Sequence, residues 1–118
     1  MLYRRKFLGG LLQIFGGQLS NVDLQKYLML ATEMQKKPLY EFTPYKYGGF
    51  SFTSYCDKRA MTKNGVIKSS DGWVDDSDVD YFPELSPKDQ SILLEVKNSY
   101  GNMTGDELVK YVYKKFPY

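Results

Sequence analysis

Three alternating aspartates, Asp76, Asp78 and Asp80, form the most conspicuous group of potential ligands in the sequence. Carboxylates at every second position are typical of the first half of a calcium-binding loop. Such a loop needs glycine at its sixth position and glutamate at its twelfth, where this chain has Tyr81 and Pro87. The pattern therefore favours a solvated acidic loop, with a weak contact to a divalent ion or an arginine-rich partner as the alternative.

Few residues of the chain suit catalysis. It has no histidine and a single cysteine, Cys56, so Ser-His and Cys-His nucleophile systems and an internal disulfide are excluded. Cys56 stands beside Asp57, which does not favour a reactive thiolate. The glycine pairs at 9–10, 16–17 and 48–49 lack the Lys-Ser or Lys-Thr of a phosphate-binding loop. We therefore expect no enzyme activity, no cofactor, no metal ion and no small-molecule substrate.

Length and charge restrict the choice of architecture and partner. The 118 residues fit one domain, which we place at 1–118. A net charge of +2 is too small to indicate a nucleic-acid partner by itself. No run approaches the roughly 18 apolar residues of a membrane span, so no membrane partner is expected. The final residues are apolar, which suggests that the natural chain continues beyond Tyr118.

The start of the chain has two interpretations. The Tyr-Arg-Arg-Lys run at 3–6, followed by apolar residues, is similar to a twin-arginine export signal. An exported chain would have a small-residue cleavage site of the Ala-x-Ala kind, and 16–20 match this poorly. The helical spacing of the apolar residues favours a first structural helix and a cytoplasmic protein. These residues are Leu8, Leu11, Leu12 and Phe15.

Apolar periodicity and capping residues predict a mainly α fold, a compact bundle of about five helices with one small β-hairpin. Ser20 with Asp23, and Thr104 with Glu107, resemble capping boxes. Gly9 and Gly10, within the first helix, indicate close approach of another helix or a partner. The predicted helices run from near Leu2 to Phe15, from Ser20 to before Pro38, from Ser51 to about Lys63, from Ser86 to Gly101 and from Thr104 to before Pro117.

Two segments between the helices have extended character. Residues 39–52 are dense in aromatic side chains, and Pro44 and the glycines at 48–49 interrupt any helix there. This pattern predicts an extended segment with a tight turn. Val66–Lys68 and Trp73–Val74 flank a polar stretch and predict the β-hairpin. The eleven tyrosines of the chain either cover the edges of the core or form a contact surface for a partner.

A DNA-binding interpretation is the main alternative from these patterns. The first two helices and the turn at 16–17 have the order of a helix-turn-helix, with the hairpin near Trp73 as a wing. The candidate recognition helix carries Asp23 and Glu33, and Lys26 is its one basic residue before Lys36. Helices that read DNA usually present more basic and amide side chains to bases and phosphates.

Several ordered motifs resemble one known family. The segment Val22–Ala31 resembles the leucine-glutamine-lysine helix of the Panacea, or SocA-like, antitoxin family, and the motifs that follow it occur in the same order as in that family. Gly49 stands where the family commonly has proline, and Tyr113 and Pro117-Tyr118 replace a histidine and Pro-Trp, so a divergent member is indicated. The matching motifs are Pro38-Leu39, Tyr45-Lys46-Tyr47-Gly48, Leu85-Ser86, Tyr100-Gly101, 104–108 and 111–117.

This resemblance implies a helical domain that neutralises a toxin by direct binding or by delivering it to a protease, without catalysis or cofactor. The family also occurs in phage and mobile-element proteins, so an N-terminal interaction domain of a defence or mobile-element protein is an alternative. We predict that aromatic anchors in the 40–52 turn fill pockets of a protein partner, a toxin or effector. An alternative role for Tyr47 and Phe50 is to pack the turn onto the helices. The predicted partner-binding residues are Gln25, Lys26, Tyr45, Lys46, Tyr47, Gly48 and Phe50.

Overall fold

The computed structural model describes residues 1–46 and 48–117, and within them it has five α-helices and four short strands. The mainly α fold is confirmed. The helices are α1 Tyr3–Ile14, α2 Asn21–Glu33, α3 Phe52–Lys63, α4 Pro87–Tyr100 and α5 Gly105–Lys115. The strands are β1 Gln18–Leu19, β2 Thr43–Tyr45, β3 Gly48–Phe50 and β4 Trp73–Val74. No helix of the described residues is long and apolar enough to cross a membrane.

The core is organised around α2. Its residues 23–32 are all buried, which is the expected pattern for a helix surrounded by others. α1, α4 and α5 pack against it, and Leu24, Tyr27 and Leu28 lie wholly inside the core. Four polar side chains of α2 are buried along with the apolar ones, and these require partners inside the protein. They are Asp23, Gln25, Lys26 and Thr32.

Three of the predicted N-cap residues form the expected side-chain hydrogen bond, and a fourth does not. The hydroxyl oxygens of Ser20, Ser51 and Ser86 each accept a hydrogen bond from the backbone N–H three residues later. The capping box predicted from Thr104 is wrong, because that side chain makes no capping hydrogen bond. The Oδ1 atom of Asp23 instead accepts from the Gly105 N–H at 2.9 Å. A carboxylate from α2 therefore stabilises the positive end of α5.

The predicted hairpin forms in part, and its second segment also pairs with β1. The Lys68 N–H donates to the Val74 carbonyl oxygen at 2.8 Å, and one bridge joins Ile67 and Asp75. The pairing with β1 is antiparallel, with Leu19 opposite Trp73. Trp73 is buried, and pairing with β1 brings its ring against the core. The more extended hairpin is β2–β3, in the segment where the sequence predicted an extended stretch and a turn; there Thr43 faces Phe50.

Gly9 allows a close contact on α1, as the sequence indicated, although the neighbour is not a helix. A Cβ atom at Gly9 would lie 2.7 Å from the ring of Tyr81, which belongs to the loop before α4. Tyr81 is buried against this position. A larger residue at position 9 would displace this ring, so the glycine serves packing within the protein.

One buried carboxylate joins α1, α3 and the segment after α2. Asp57 on α3 is 1% exposed. Its Oδ2 accepts from Arg4 Nε and from Tyr40 Oη, each at 2.8 Å, and its Oδ1 accepts from Arg5 Nε at 2.8 Å. Burial acts to raise the pKa of Asp57, but the hydrogen bonds from Arg4, Arg5 and Tyr40 outweigh it and leave the pKa below its ordinary value. The paired arginines of the N-terminal run thus have a structural role.

Replacing Asp57 should destabilise the fold strongly. Asp57→Ala leaves two arginines and a buried tyrosine hydroxyl without their acceptor, and breaking a buried pair in this way costs about 3–5 kcal/mol. We expect a loss of that size in the free energy of unfolding, measured by urea denaturation at neutral pH. The loss should shrink as the pH falls from the ordinary carboxyl value of 3.8 toward the lower pKa of the folded protein, because the unfolded chain binds a proton there while the native carboxylate stays ionised.

Asp78→Ala is the matched control, since Asp78 is exposed in the acidic loop. It should change the free energy of unfolding by less than about 0.5 kcal/mol. Equal effects of the two substitutions at neutral pH would contradict the role assigned to Asp57.

Candidate functional site

Four aromatic side chains meet where the β2–β3 hairpin joins α3. The rings of Tyr45 and Phe50 stack with centroids 5.2 Å apart, and Phe52 meets them edge-on at 5.7 and 4.8 Å. Tyr55 lies 6.3 Å from Phe50. Despite these contacts, Tyr45, Phe52 and Tyr55 each leave at least 50% of their surface exposed. These four residues are called the aromatic patch below.

Local sequence explains why these rings come together. Ser51 caps α3, with its Oγ accepting from the Ser54 N–H at 3.2 Å. Phe50 directly precedes the cap and Tyr55 is the fourth residue of the helix, which are the two positions of a hydrophobic staple. Gly48 has a positive φ of 92°, a conformation that glycine adopts without strain, and it begins the strand that carries Phe50.

Gln25 connects the central helix to the cap of α3. Its Nε2 donates to Ser54 Oγ at 2.8 Å, and its Oε1 accepts from the Ser51 N–H at 2.9 Å. All three residues are buried. A single amide therefore satisfies a backbone donor and a hydroxyl in the interior and fixes the start of α3 relative to α2.

Lys26 supports the hairpin from the next position on α2. Its Nζ donates to the carbonyl oxygen of Gly49 at 2.8 Å, and the residue is 2% exposed. Within the described residues no carboxylate forms an ion pair with it. Removal from water disfavours the charged amine and lowers the pKa of Lys26 to about 8.

A pocket of about 230 Å³ lies between the aromatic patch and α2. Lys58 of α3 borders it, with Nζ 5.9 Å from the centre of the Trp73 ring and 3.0 Å from Asn21 Oδ1. Burial lowers the pKa of Lys58, and the charge of Asp71 opposes that effect. The pocket is lined by Asn21, Val22, Gln25, Lys26, Tyr45, Gly48, Gly49, Phe50, Tyr55, Lys58 and Trp73.

The structure brings together five of the seven residues predicted for partner binding. Tyr45, Gly48 and Phe50 line the pocket, and so do Gln25 and Lys26. The last two are buried, and their polar ends hold the hairpin and the α3 cap rather than lying free on a surface. Lys46 is exposed at the turn and is not among the residues lining the pocket, and Tyr47 lies outside the described residues.

Seven residues of the pocket and the aromatic patch were not predicted as site residues: Asn21, Val22, Gly49, Phe52, Tyr55, Lys58 and Trp73. The staple spacing around Ser51 was a usable signal for Tyr55. The i, i+3 spacing of Phe52 and Tyr55 places them on one face of α3, and this face is solvent-exposed. Trp73 reaches the pocket through its pairing with β1, for which no local pattern exists.

Comparison with protein-family models, with curated proteins and with solved structures finds no match. Among the described residues, no group of three or more cysteine, aspartate and glutamate side chains is arranged to hold a metal ion. The chemistry that the site offers is thus an apolar, aromatic surface around a pocket with two amines. Such a site can bind a ligand and orient it.

The buried amine of Lys26 should give the protein a distinctive pH dependence. Below about pH 8 Lys26 is protonated in both the folded and the unfolded state, so the cost of burying the charge is fully present. Between about 8 and the ordinary value of 10.5, the folded protein releases this proton while the unfolded chain keeps it. The contribution of Lys26 to the free energy of unfolding therefore rises with pH across this range.

Urea denaturation at several pH values from about 7.5 to 9.5 tests this expectation in the Lys26→Met variant, which lacks the titrating group. The difference in free energy of unfolding, wild type minus variant, should grow with pH. Lys63→Met, at an exposed position of α3, should keep the pH slope of the wild type. Parallel curves for wild type and Lys26→Met would contradict the inferred state of this amine.

Proposed function

We propose that this chain is a non-catalytic protein-binding module that neutralises a partner toxin, by direct binding or by delivering it to a protease, as its resemblance to the Panacea antitoxins implies. One observation carries the protein-binding part of this proposal. Three aromatic side chains that each pack against Phe50 remain half exposed beside a pocket. Clusters of exposed aromatic residues around a concavity are typical of the energetic centre of a protein interface.

The rigidity of the aromatic patch strengthens the proposal. Its rings contact one another, and its backbone is held by Gln25 and Lys26 from the buried helix α2. A surface that is already ordered loses little conformational entropy when a partner binds. The residues of the aromatic patch are therefore the expected anchors, while Gln25 and Lys26 position them.

The arrangement of α2 weighs against the DNA-binding alternative. A recognition helix must present a face to the major groove, whereas residues 23–32 of α2 are buried. Trp73 of the predicted wing is buried and paired with β1, so its ring is not free to contact DNA. The same aromatic patch would serve an interaction domain of a defence or mobile-element protein, and then its partner would be the associated effector.

Removing the exposed rings should abolish binding while preserving the fold. The double variant Tyr45→Ala, Phe52→Ala deletes two side chains that are more than half exposed. Truncation of an interface anchor commonly costs about 2 kcal/mol or more, roughly a thirtyfold increase in Kd for each. We expect loss of both toxin neutralisation and native co-purification when the variant is co-expressed with the product of the adjacent gene.

Leu94→Ala is the control, since Leu94 is an exposed apolar residue on α4, away from the pocket. It should neutralise and co-purify like the wild type. A normal urea denaturation curve for the double variant would show that it is folded. If the folded double variant still neutralised the toxin and retained its partner, the aromatic patch would not be the binding surface.

A further inference from the structure

The pocket beside the aromatic patch holds more positive charge than the surrounding protein neutralises. Lys26 and Lys58 both line it, and no aspartate or glutamate of the described residues does. Asp71 acts on Lys58 from outside the lining, and among residues 1–46 and 48–117 no carboxylate bonds to Lys26. A buried cation without a counter-charge is costly, so the bound state of this pocket should supply one.

Lys26 also has unused hydrogen-bonding capacity. An ammonium group has three N–H donors, and within the described residues the Nζ atom of Lys26 makes one hydrogen bond, to the Gly49 carbonyl oxygen. The residue is 2% exposed, so a ligand can approach the amine only from within the pocket that it lines. The ligand group that reaches it must therefore be small, and it must accept hydrogen bonds.

The size and walls of the pocket restrict the rest of the ligand. About 230 Å³ is below the range of roughly 300–1,000 Å³ that is usual for small-molecule and cofactor sites. Val22, Phe50 and Trp73 supply apolar walls on the way to the amines. These walls suit the methylene groups of one acidic side chain, and the half-exposed rings of the aromatic patch suit apolar residues on either side of it.

We propose that the pocket receives a glutamate or aspartate side chain of the partner protein, flanked by apolar residues that cover the aromatic patch. The carboxylate accepts hydrogen bonds from Lys26 and Lys58. This inference rests on the proposed function and adds the chemistry of the partner segment. Charge complementarity carries it: two lysines line one pocket that has no acidic side chain in its described lining.

A phosphate of single-stranded nucleic acid is the competing anion, because aromatic side chains also stack on bases. The buried position of Lys26 favours the carboxylate. A phosphate attached to a sugar and a base is bulkier than a carboxylate at the end of a methylene chain, and Lys26 as a whole is 2% exposed. Nucleic acid binding is therefore an outcome that would overturn the proposal.

Titration of the full chain with capped tripeptides, followed by two-dimensional NMR, tests the proposal. The probes are acetyl-Leu-Glu-Phe-amide and its Gln and Lys analogues, which differ only in the central side chain. The Glu peptide should shift the amide signals of Gly48 and Gly49 and the indole signal of Trp73. We expect it to bind at least about tenfold more tightly than the Gln peptide, with the Lys peptide weakest.

Variants of the two lysines test whether these residues cause the preference for the Glu peptide over the Gln peptide. Lys58→Met should reduce the discrimination between the Glu and Gln peptides, and Lys26→Met should do the same if its spectrum shows that it is folded. Lys63→Met, on the same helix but outside the pocket, should leave the discrimination unchanged. Because Lys58 is partly exposed, its variant keeps the test decisive even if Lys26→Met does not fold.

Three results would overturn the inference. They are equal binding of the Glu and Gln peptides, no shift of the pocket signals up to about 10 mM peptide, and tighter binding of an oligothymidylate at the same signals. If any of these occurred while the double variant of the aromatic patch still lost its protein partner, the proposed function would stand and the charge inference would fall. If that double variant kept its partner, the proposed function itself would fall.

Discussion

The hydrogen bonds of one buried amide, that of Gln25, determine where the aromatic patch stands. The amide accepts from the backbone of Ser51 and donates to the hydroxyl of Ser54, all in the interior. A shift of the hairpin by one residue would leave a buried donor and a buried amide without partners, at a cost of about 1–3 kcal/mol for each group. The amide thus fixes the register of the chain at the point where a strand becomes a helix.

The neighbouring Lys26 is harder to justify on stability alone. Its amine holds the Gly49 carbonyl, yet burial lowers its pKa to about 8, which means that the fold opposes the charge it carries at neutral pH. An apolar residue at this place in the core would avoid the free-energy cost of burying a charge. Residues that break the ordinary rules of core composition are expected at functional sites, and Lys26 lies in the wall of the pocket that we assign to a partner.

The sequence was sufficient for features that depend on near neighbours. Ser51 and Ser86 cap helices as predicted, because an N-cap is decided within four residues. The partners of Asp23 and Trp73 could not be found in this way, since Gly105 and Leu19 are far along the chain and match no short motif. Distant partners of this kind are chosen by the packing of the whole fold.

The candidate site also combines features that neighbouring residues determine with features that only tertiary packing determines. Tyr45 and Phe50 were predicted to lie at the site from their place in an aromatic turn, and they line the pocket. Gln25 and Lys26 were placed near the partner surface, but their burial could not be read from a helix on which nearly every position is enclosed. Knowing which side of a helix is polar does not help when tertiary packing covers both sides.

Helix α3 explains why the exposed rings do not collapse into the core. Its buried face carries Ser54, Asp57 and Met61, and two of these are polar and held by hydrogen bonds to other elements. Turning the helix to bury Phe52 and Tyr55 would break the bonds of Gln25 and expose the carboxylate that Arg4 and Arg5 enclose. Polar contacts on one face of α3 thus keep an apolar face exposed on the other.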